Sequence, residues 1–193
     1  DILQVTTLDG QPPADSRWNE ITIGHLLSHQ GGWDRGTAFD AMFHDNAVLQ
    51  AVQQQDPNAR YPVTKWQIAR YMAGQPLQFD PGGTASKDGY SNFGYMLLGL
   101  IVEQLSGMRY VDYVRRNILK PLGLKRPGIG RSLVSLRRRY APDMYGHYSE
   151  EVYYDDAYLG VGDDVVDAGG NWVAGTYGSY NLENADASGA WVM

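Results

Sequence analysis

The fold of this chain is decided by residues 90–107, which read YSNFGYMLLGLIVEQLSG. From position 93 onward, apolar side chains recur at helical spacing and cover more than one face, which is typical of a buried helix. Gly107 supplies a stop at its C-terminal end. Gly94 and Gly99 each lower helix propensity by roughly 1 kcal/mol relative to Ala, which favours the close approach of another backbone. We therefore predict a buried helix over residues 93–105.

The residues just before this helix can carry chemistry. Tyr90-Ser91-Asn92 follows the turn-forming stretch Pro81-Gly82-Gly83 and ends where the helix begins. In extended backbone, residues i and i+2 point the same way, so the Tyr90 phenol and the Asn92 amide would face one site. The phenol can relay a proton, which is worth about 10² to 10⁴ in rate, and the amide can both donate to and accept from a substrate amide or ester. Tyr90 and Asn92 are therefore the candidate catalytic residues.

Four shorter stretches also have helical spacing. They are residues 21–30 with Thr22 as N-cap, residues 46–55, residues 64–72 with Thr64 as N-cap, and residues 110–119 before Pro121. In the first, Ile23, Leu26 and Leu27 form the predicted apolar stripe. In the third, the predicted stripe consists of Trp66, Ile68, Ala69 and Met72.

Composition divides the chain near residue 139. Residues 1–139 hold all 16 Lys and Arg against 12 acidic residues, whereas residues 140–193 hold 10 acidic residues and no Lys or Arg. In addition, 8 of the 14 Tyr lie between positions 140 and 180, interleaved with Gly and Asp. Weak periodicity there favours short strands and loops. We predict a helical subdomain over 1–139, which carries the tyrosine and asparagine, and an acidic Tyr- and Gly-rich insertion over 140–193.

Several classes of protein are disfavoured by composition. With 193 residues and no cysteine, the chain can form one sizeable core but has no disulfide, thiolate zinc site or cysteine nucleophile. No apolar run approaches the roughly 20 residues of a membrane helix, and the N-terminus lacks the pattern of a signal peptide. The basic run Arg131–Arg139 is typical of a solvated helix face. We predict no membrane span in this chain and no nucleic-acid partner.

Two sets of residues could in principle hold a metal. His25 and His29 have the i, i+4 spacing of zinc-binding helices, but Leu26 stands where a general-base Glu would be needed and no third ligand is evident. Hard oxygen ligands for calcium are offered by Asp155, Asp156, Asp163, Asp164 and Asp167. Their spacing fits no EF-hand loop and equally suits a solvated surface. We predict no metal and no cofactor.

Three segments, in order, carry a family resemblance. The first is ITIGHLLSHQGG at residues 21–32, which is similar to a "HLLTHTSG" segment; the second is 79–107, with FDPGG followed by the YSN helix; the third is YVRRNILKPLGL at residues 113–124, which is similar to "ENILKPLGM". Residues 187–193, ASGAWVM, also resemble a later segment. Together they resemble the serine β-lactamase and penicillin-binding-protein family, particularly its class C β-lactamase, D,D-peptidase and esterase branch.

The resemblance implies an acyl-transfer mechanism. A serine in an SxxK motif attacks an amide or ester carbonyl, the lysine and the tyrosine of YxN manage protons, and a later strand with KTG or HxG lines the site. Tyr90 and Asn92 match YxN, but no serine of this chain has a lysine three residues later. Lys87-Asp88-Gly89 precedes YxN, contrary to the family's order, and is interpreted as a loop. We therefore expect an internal fragment of a longer serine hydrolase, without the nucleophile and inactive alone.

The implied parent has an α+β fold, β-lactamase/transpeptidase-like, of which this chain is mainly the α-helical subdomain with a few short strands. Residues 140–193 would then lead back to its α/β domain. The implied substrate is a small molecule or peptide with an amide or ester bond, the implied location is extracytoplasmic, and His25 and His29 would be structural. Apolar edges left exposed would favour self-association. The alternatives are a degenerate homologue, or a non-catalytic cell-wall or carbohydrate binding module that uses the aromatic residues of 140–180 and Trp172.

Overall fold

The computed structural model describes residues 2–37, 41–42, 45–60, 63–87 and 89–124, together with four short strands further along. The chain divides into two compact units, one of residues 1–59 and 63–110 and the other of residues 60–62 and 111–193. No helix of the described residues is long and apolar enough to cross a membrane. The candidate site lies entirely in the first unit.

The first unit is built from helices. A 3₁₀ helix, Ser16–Glu20, precedes four α-helices: α1 (Ile23–Leu27), α2 (Asp45–Gln53), α3 (Lys65–Ala73) and α4 (Asn92–Ser106). Helix α4 packs against α1 and α3, and α2 packs against α3. These boundaries confirm the helices that the sequence predicts, with α1 shorter than expected because the chain turns at Ser28 and His29.

The helix starts follow the predicted capping chemistry. Thr22 Oγ1 accepts the His25 backbone N–H at 3.1 Å, and the His25 side chain accepts the Thr22 N–H in return. Thr64 and Gln67 form the same reciprocal pair at the start of α3. Each pair satisfies two backbone donors that a helix start would otherwise leave without partners.

Helix α4 is the central element of the first unit. Its buried residues are Phe93, Gly94, Met96, Leu97, Leu100 and Ile101. It ends at Gly107, which has a left-handed φ of 66° and donates its N–H to the Glu103 carbonyl at 2.9 Å. The expectation of a close backbone at the two internal glycines is wrong: a Cβ at Gly94 would lie 3.7 Å from the Leu26 side chain, and a Cβ at Gly99 would lie 3.9 Å from the Tyr110 ring.

An aromatic cluster fixes the start of α4 against the N-terminal segment. The Phe93 ring lies 4.6 Å from Trp33 and 6.3 Å from Trp18, and the two tryptophans lie 5.2 Å apart, all edge to face. Such arrangements align the positive edge of one ring with the negative face of the next. The cluster holds the loop after α1 close to the residues that begin α4.

Two ion pairs connect elements that are distant in sequence. Lys65 at the start of α3 is buried, and its Nζ lies 2.8 Å from both carboxylate oxygens of Glu103 in α4. Near the 3₁₀ helix, the Asp15 carboxylate accepts the Arg17 guanidinium and the Leu77 N–H, and the bond to Arg17 holds the pKa of Asp15 well below its usual range. Arg17 also reaches Asp80 at 2.7 Å.

The second unit contains one helical segment and four short strands among its described residues. Helix α5 (Tyr110–Val114), which starts at the last residue of the first unit, continues into a π-helix, Arg115–Leu119. Strand β1 (Gly128–Ile129) pairs antiparallel with β4 (Trp191–Val192), and β2 (Asp164–Val166) pairs antiparallel with β3 (Trp172–Ala174). The described part of the chain is thus mainly helical with a few short strands, as predicted.

Several predictions fall outside the described residues. These are the boundary at residue 139, the basic run Arg131–Arg139, most of the aromatic residues between 140 and 180, and four of the five candidate calcium ligands. Asp164 and Trp172 lie within the strands β2 and β3.

Candidate active site

The predicted site residues flank a buried cap. Ser91 is the N-cap of α4 in extended backbone, and its buried Oγ accepts the Gly94 N–H at 3.0 Å. On one side of it Tyr90 is 43% exposed, and on the other Asn92 is half-buried. Ser91 has an extended backbone, but Asn92 is already the first residue of α4, so a shared direction of the Tyr90 and Asn92 side chains stays a prediction.

The Tyr90 ring has a cation and an imidazole as neighbours. The Arg35 guanidinium carbon lies 4.9 Å from the ring centroid, within the range of a cation–π contact. The His29 ring lies 4.4 Å from the Tyr90 ring at an interplanar angle of 35°. The aromatic body of Tyr90 is therefore held between neighbours while a large part of the residue stays accessible.

The backbone of this segment is fixed by the loop that follows α1. The Tyr90 carbonyl accepts the Arg35 N–H at 2.8 Å, and the Tyr90 N–H points to Asp34 Oδ1 at 3.4 Å. The Ser91 N–H donates to His29 Nδ1 at 3.1 Å. Residues 29–35 thus bind three consecutive polar groups of the main chain just before α4.

Asp34 forms hydrogen bonds with several segments around the site, which the sequence did not predict. It is only 1% exposed, and its carboxylate accepts the Ser86 hydroxyl at 2.6 Å and the Gly36 N–H at 2.8 Å, in addition to the Tyr90 N–H. Its own N–H donates to the Gln78 side chain at 2.9 Å. The Ser86 bond, followed by the bonds from Gly36 and Tyr90, lowers the pKa of Asp34 despite its burial. The only signal in the sequence is a short Asp-Arg-Gly turn, which is common.

The stability of the chain should depend on the ionised form of Asp34. Because the pKa of Asp34 is lower in the folded state, its stabilisation is present above the unfolded-state pKa of about 3.9 and is lost as the pH falls below that value. Asp34→Asn should lower the free energy of unfolding at pH 7 by about 1.5–3 kcal/mol, the size of a hydrogen bond to a charged group. Urea unfolding between pH 7 and pH 3 should show this gap closing on the acid side.

A second variant tests the cause of that dependence. Ser86→Ala removes the donor with the largest effect on Asp34 and should reproduce part of the loss at pH 7. A gap between wild type and Asp34→Asn that stays constant down to pH 3 would contradict the assignment.

The two histidines are both engaged by backbone N–H groups. His25 Nδ1 serves the cap of α1, and His29 Nδ1 accepts from Ser91. The family resemblance implies structural histidines that bond the following turn; the Nδ1 of His29 instead accepts from a residue 62 positions later. Among the residues that the structure describes, no group of three or more His, Cys, Asp or Glu side chains could hold a metal ion.

The two serines on either side of Tyr90 in the sequence, Ser86 and Ser91, use their hydroxyl groups in structural hydrogen bonds. Ser91 Oγ accepts from Gly94, and Ser86 Oγ donates to Asp34. Lys87 and Gly89 lie in the loop before Tyr90, where the Gly89 N–H donates to the Ser86 carbonyl at 3.3 Å. The site in this chain therefore offers an exposed tyrosine and, two positions later, a half-buried asparagine, on a main chain fixed by residues 29–35.

Comparisons with known proteins give a family match and several relatives. A model of the Beta-lactamase family matches residues 7–181. A putative D-alanyl-D-alanine carboxypeptidase of Escherichia coli K12 is 37% identical over 106 residues, which cover 55% of this chain and 21% of that protein. A penicillin-binding protein of Bacillus subtilis is 36% identical over 66 residues, covering 34% of this chain and 13% of that protein.

Among solved structures, a D-stereospecific amidohydrolase from Streptomyces sp. is similar, with a TM-score of 0.48 and 18% identity; the similarity covers 98% of this chain and 45% of that one. This chain spans about a fifth of the length of the Escherichia coli relative, of which 21% is covered. The family match extends over all three segments on which the sequence resemblance rests, residues 21–32, 79–107 and 113–124. Because residues 7–181 make up far more than half of the sequence, this chain belongs to the β-lactamase family.

Proposed function

We propose that this chain supplies the tyrosine and asparagine of the active site of a serine hydrolase that acts on amide or ester bonds through an acyl-enzyme. The observation that carries the proposal is the Tyr90–Asn92 segment itself. Its backbone is bound at three consecutive polar groups, while Tyr90 as a residue remains 43% exposed. A rigid segment with an accessible functional group is what general acid–base catalysis needs.

Each residue has a distinct proposed role. A serine oxygen attacks the substrate carbonyl and forms an ester, and the amine or alcohol leaves with a proton. The Tyr90 hydroxyl carries a proton between the serine oxygen and the leaving group. The Asn92 amide binds the substrate amide or ester and keeps its carbonyl aligned for attack.

We propose further that the nucleophile belongs to a part of the protein outside the printed sequence. No serine of the chain is followed three residues later by a lysine, and no KTG or HxG motif follows Tyr90. The chain would then be the mainly helical subdomain of an α+β parent, and without a nucleophile it would form no acyl-enzyme on its own.

The substrate and location follow from relatives. Because one relative is named as a putative D-alanyl-D-alanine carboxypeptidase, we propose a peptide or small molecule with an amide or ester bond as substrate, and an extracytoplasmic location. Self-association remains a prediction, which the exposed Ile23 and Leu27 side chains on α1 support.

Covalent labelling tests this proposal. A fluorescent penicillin and a fluorescent phosphonate are added to the 193-residue chain and to the extended protein, which is encoded by the reading frame continued upstream to its start codon and downstream to its stop codon. Intact mass should show one adduct on the extended protein and none on the 193-residue chain.

Either of two results would contradict it. Labelling of the 193-residue chain would place a nucleophile within the printed sequence. An extended protein without a serine and lysine three apart, which takes no label but binds a cell-wall glycan, would favour a non-catalytic binding module.

A further inference from the structure

The geometry points to His29 as a positioning residue for the Tyr90–Asn92 segment, an inference that rests on the proposed function. Its Nδ1 accepts the Ser91 N–H at 3.1 Å. Ser91 is buried and lies between the two proposed site residues. A buried backbone N–H needs an acceptor, and here it finds one on a side chain 62 residues earlier.

The His29 ring also contacts the aromatic residues on both sides of the helix start. Its centroid lies 4.4 Å from Tyr90 and 4.9 Å from Tyr95, at interplanar angles of 35° and 33°. Tyr95 is itself fixed, because its hydroxyl donates to the Leu27 carbonyl at 3.1 Å. A substitution at His29 would therefore affect Tyr90 in two ways, through the contact between the two rings and through the backbone N–H of Ser91.

The backbone of His29 has an uncommon conformation. Its φ is 57°, in the left-handed region, where few non-glycine residues lie and where Asn, Asp and His are the most frequent of them. A histidine at such a position is a reason to look for a role of its side chain. The structure gives that role as the bond to Ser91, for which Nδ1 must be unprotonated and the imidazole neutral with its proton on Nε2.

Two substitutions separate the acceptor from the ring. His29→Phe keeps an aromatic ring and removes the acceptor. His29→Asn removes the ring, keeps an acceptor oxygen close to the place of Nδ1, and tolerates the left-handed backbone. The matched control is His25→Asn, because the Nδ1 of His25 accepts a local N–H, that of Thr22 at 3.4 Å.

Amide hydrogen exchange of Ser91 in the full chain is the first readout. His29→Phe should speed exchange at Ser91 by at least about tenfold, whereas His29→Asn and His25→Asn should stay within about threefold of wild type. Unchanged exchange in His29→Phe would overturn the inference. If His29→Phe does not fold, the test depends on His29→Asn. Fast exchange of the Ser91 amide in that folded variant would overturn the inference, because it would show that an acceptor at position 29 does not protect this amide.

The acylation rate in the extended protein that bears the nucleophile is the second readout. Because a misplacement of about 1 Å can cost about 10²-fold, His29→Phe should lower the rate of acylation by about 10- to 100-fold, with a smaller change in KM, and His29→Asn should restore most of it. If the wild-type protein is acylated and His29→Phe is acylated equally fast, the positioning role of His29 is overturned and the proposed function is not. A wild-type protein that forms no acyl-enzyme would instead overturn the proposed function, and the positioning role with it.

Discussion

Tyr90→Phe in the extended, nucleophile-bearing protein is expected to lower the rate of acylation by at least about tenfold, and by about 10² to 10⁴ if the phenol carries all of the proton transfer. The substitution removes one oxygen and leaves an aromatic ring. That ring can keep its contacts with His29, 4.4 Å away, and with the Arg35 guanidinium, 4.9 Å away. The loss should therefore appear in chemistry more than in folding.

The measurement is a rapid-quench or stopped-flow burst with a chromogenic ester and a chromogenic penicillin. A role in proton transfer predicts a lower acylation rate for both substrates, with unfolding by urea close to that of wild type. An ester with a good leaving group needs less help from an acid than the β-lactam amide of the penicillin. The acylation rate of Tyr90→Phe should therefore fall less with the ester than with the penicillin.

Tyr95→Phe is the matched control. Tyr95 contacts the same histidine ring and also carries a hydroxyl, but that hydroxyl donates to the Leu27 carbonyl at 3.1 Å. Its loss should cost about 0.5–1.5 kcal/mol of stability, the net value of one hydrogen bond, and leave the acylation rate unchanged. A burst that is equally fast in Tyr90→Phe and wild type would remove the role assigned to Tyr90.

The parts of this fold that sequence predicts best are those fixed by neighbouring residues. Thr22 and Thr64 cap the helices they were expected to cap, and Gly107 ends α4. Each of these depends on hydrogen bonds within about four positions, so the residue types and their spacing are sufficient. The Tyr90–Asn92 segment was likewise chosen from neighbouring residues; the helix start is confirmed, with Ser91 as N-cap and Asn92 as the first residue of α4, and the catalytic role stays a prediction.

Burial was predicted less well because it depends on what packs from elsewhere. Helical spacing places Trp66 on the apolar stripe of α3, yet Trp66 is exposed and the adjacent Lys65 is buried. Lys65 is buried because Glu103, 38 residues later, accepts its ammonium group with both oxygens. On α1, likewise, Leu26 is buried while Ile23 and Leu27 remain exposed.

The frame of the candidate site could not be predicted for the same reason. Asp34 meets Ser86 and Tyr90 across 52 and 56 positions, and His29 meets Ser91 across 62. No periodicity records such bonds, and an isolated Asp or His has many possible uses. Only the folded chain shows that residues 29–35 hold the segment on which the candidate catalytic groups stand.

Phe93→Ala is expected to destabilise the chain by about 3–5 kcal/mol, the range for removing a buried phenylalanine. Phe93 is 2% exposed and contacts both Trp33 and Trp18 edge to face. Truncation leaves a cavity bordered by two rigid indole rings, which cannot easily collapse into it. Since whole domains are stable by only about 5–15 kcal/mol, this single change would remove a large part of the total.

Leu105→Ala is the matched control within the same helix, because Leu105 is 68% exposed. Surface substitutions are usually within about 0.5 kcal/mol of wild type, and here Ala is also the better helix former. Urea unfolding followed by far-UV circular dichroism gives both free energies. If Phe93→Ala costs no more than Leu105→Ala, the aromatic cluster does not hold the start of α4. The Tyr90–Asn92 segment would then depend on the hydrogen bonds from residues 29–35 alone.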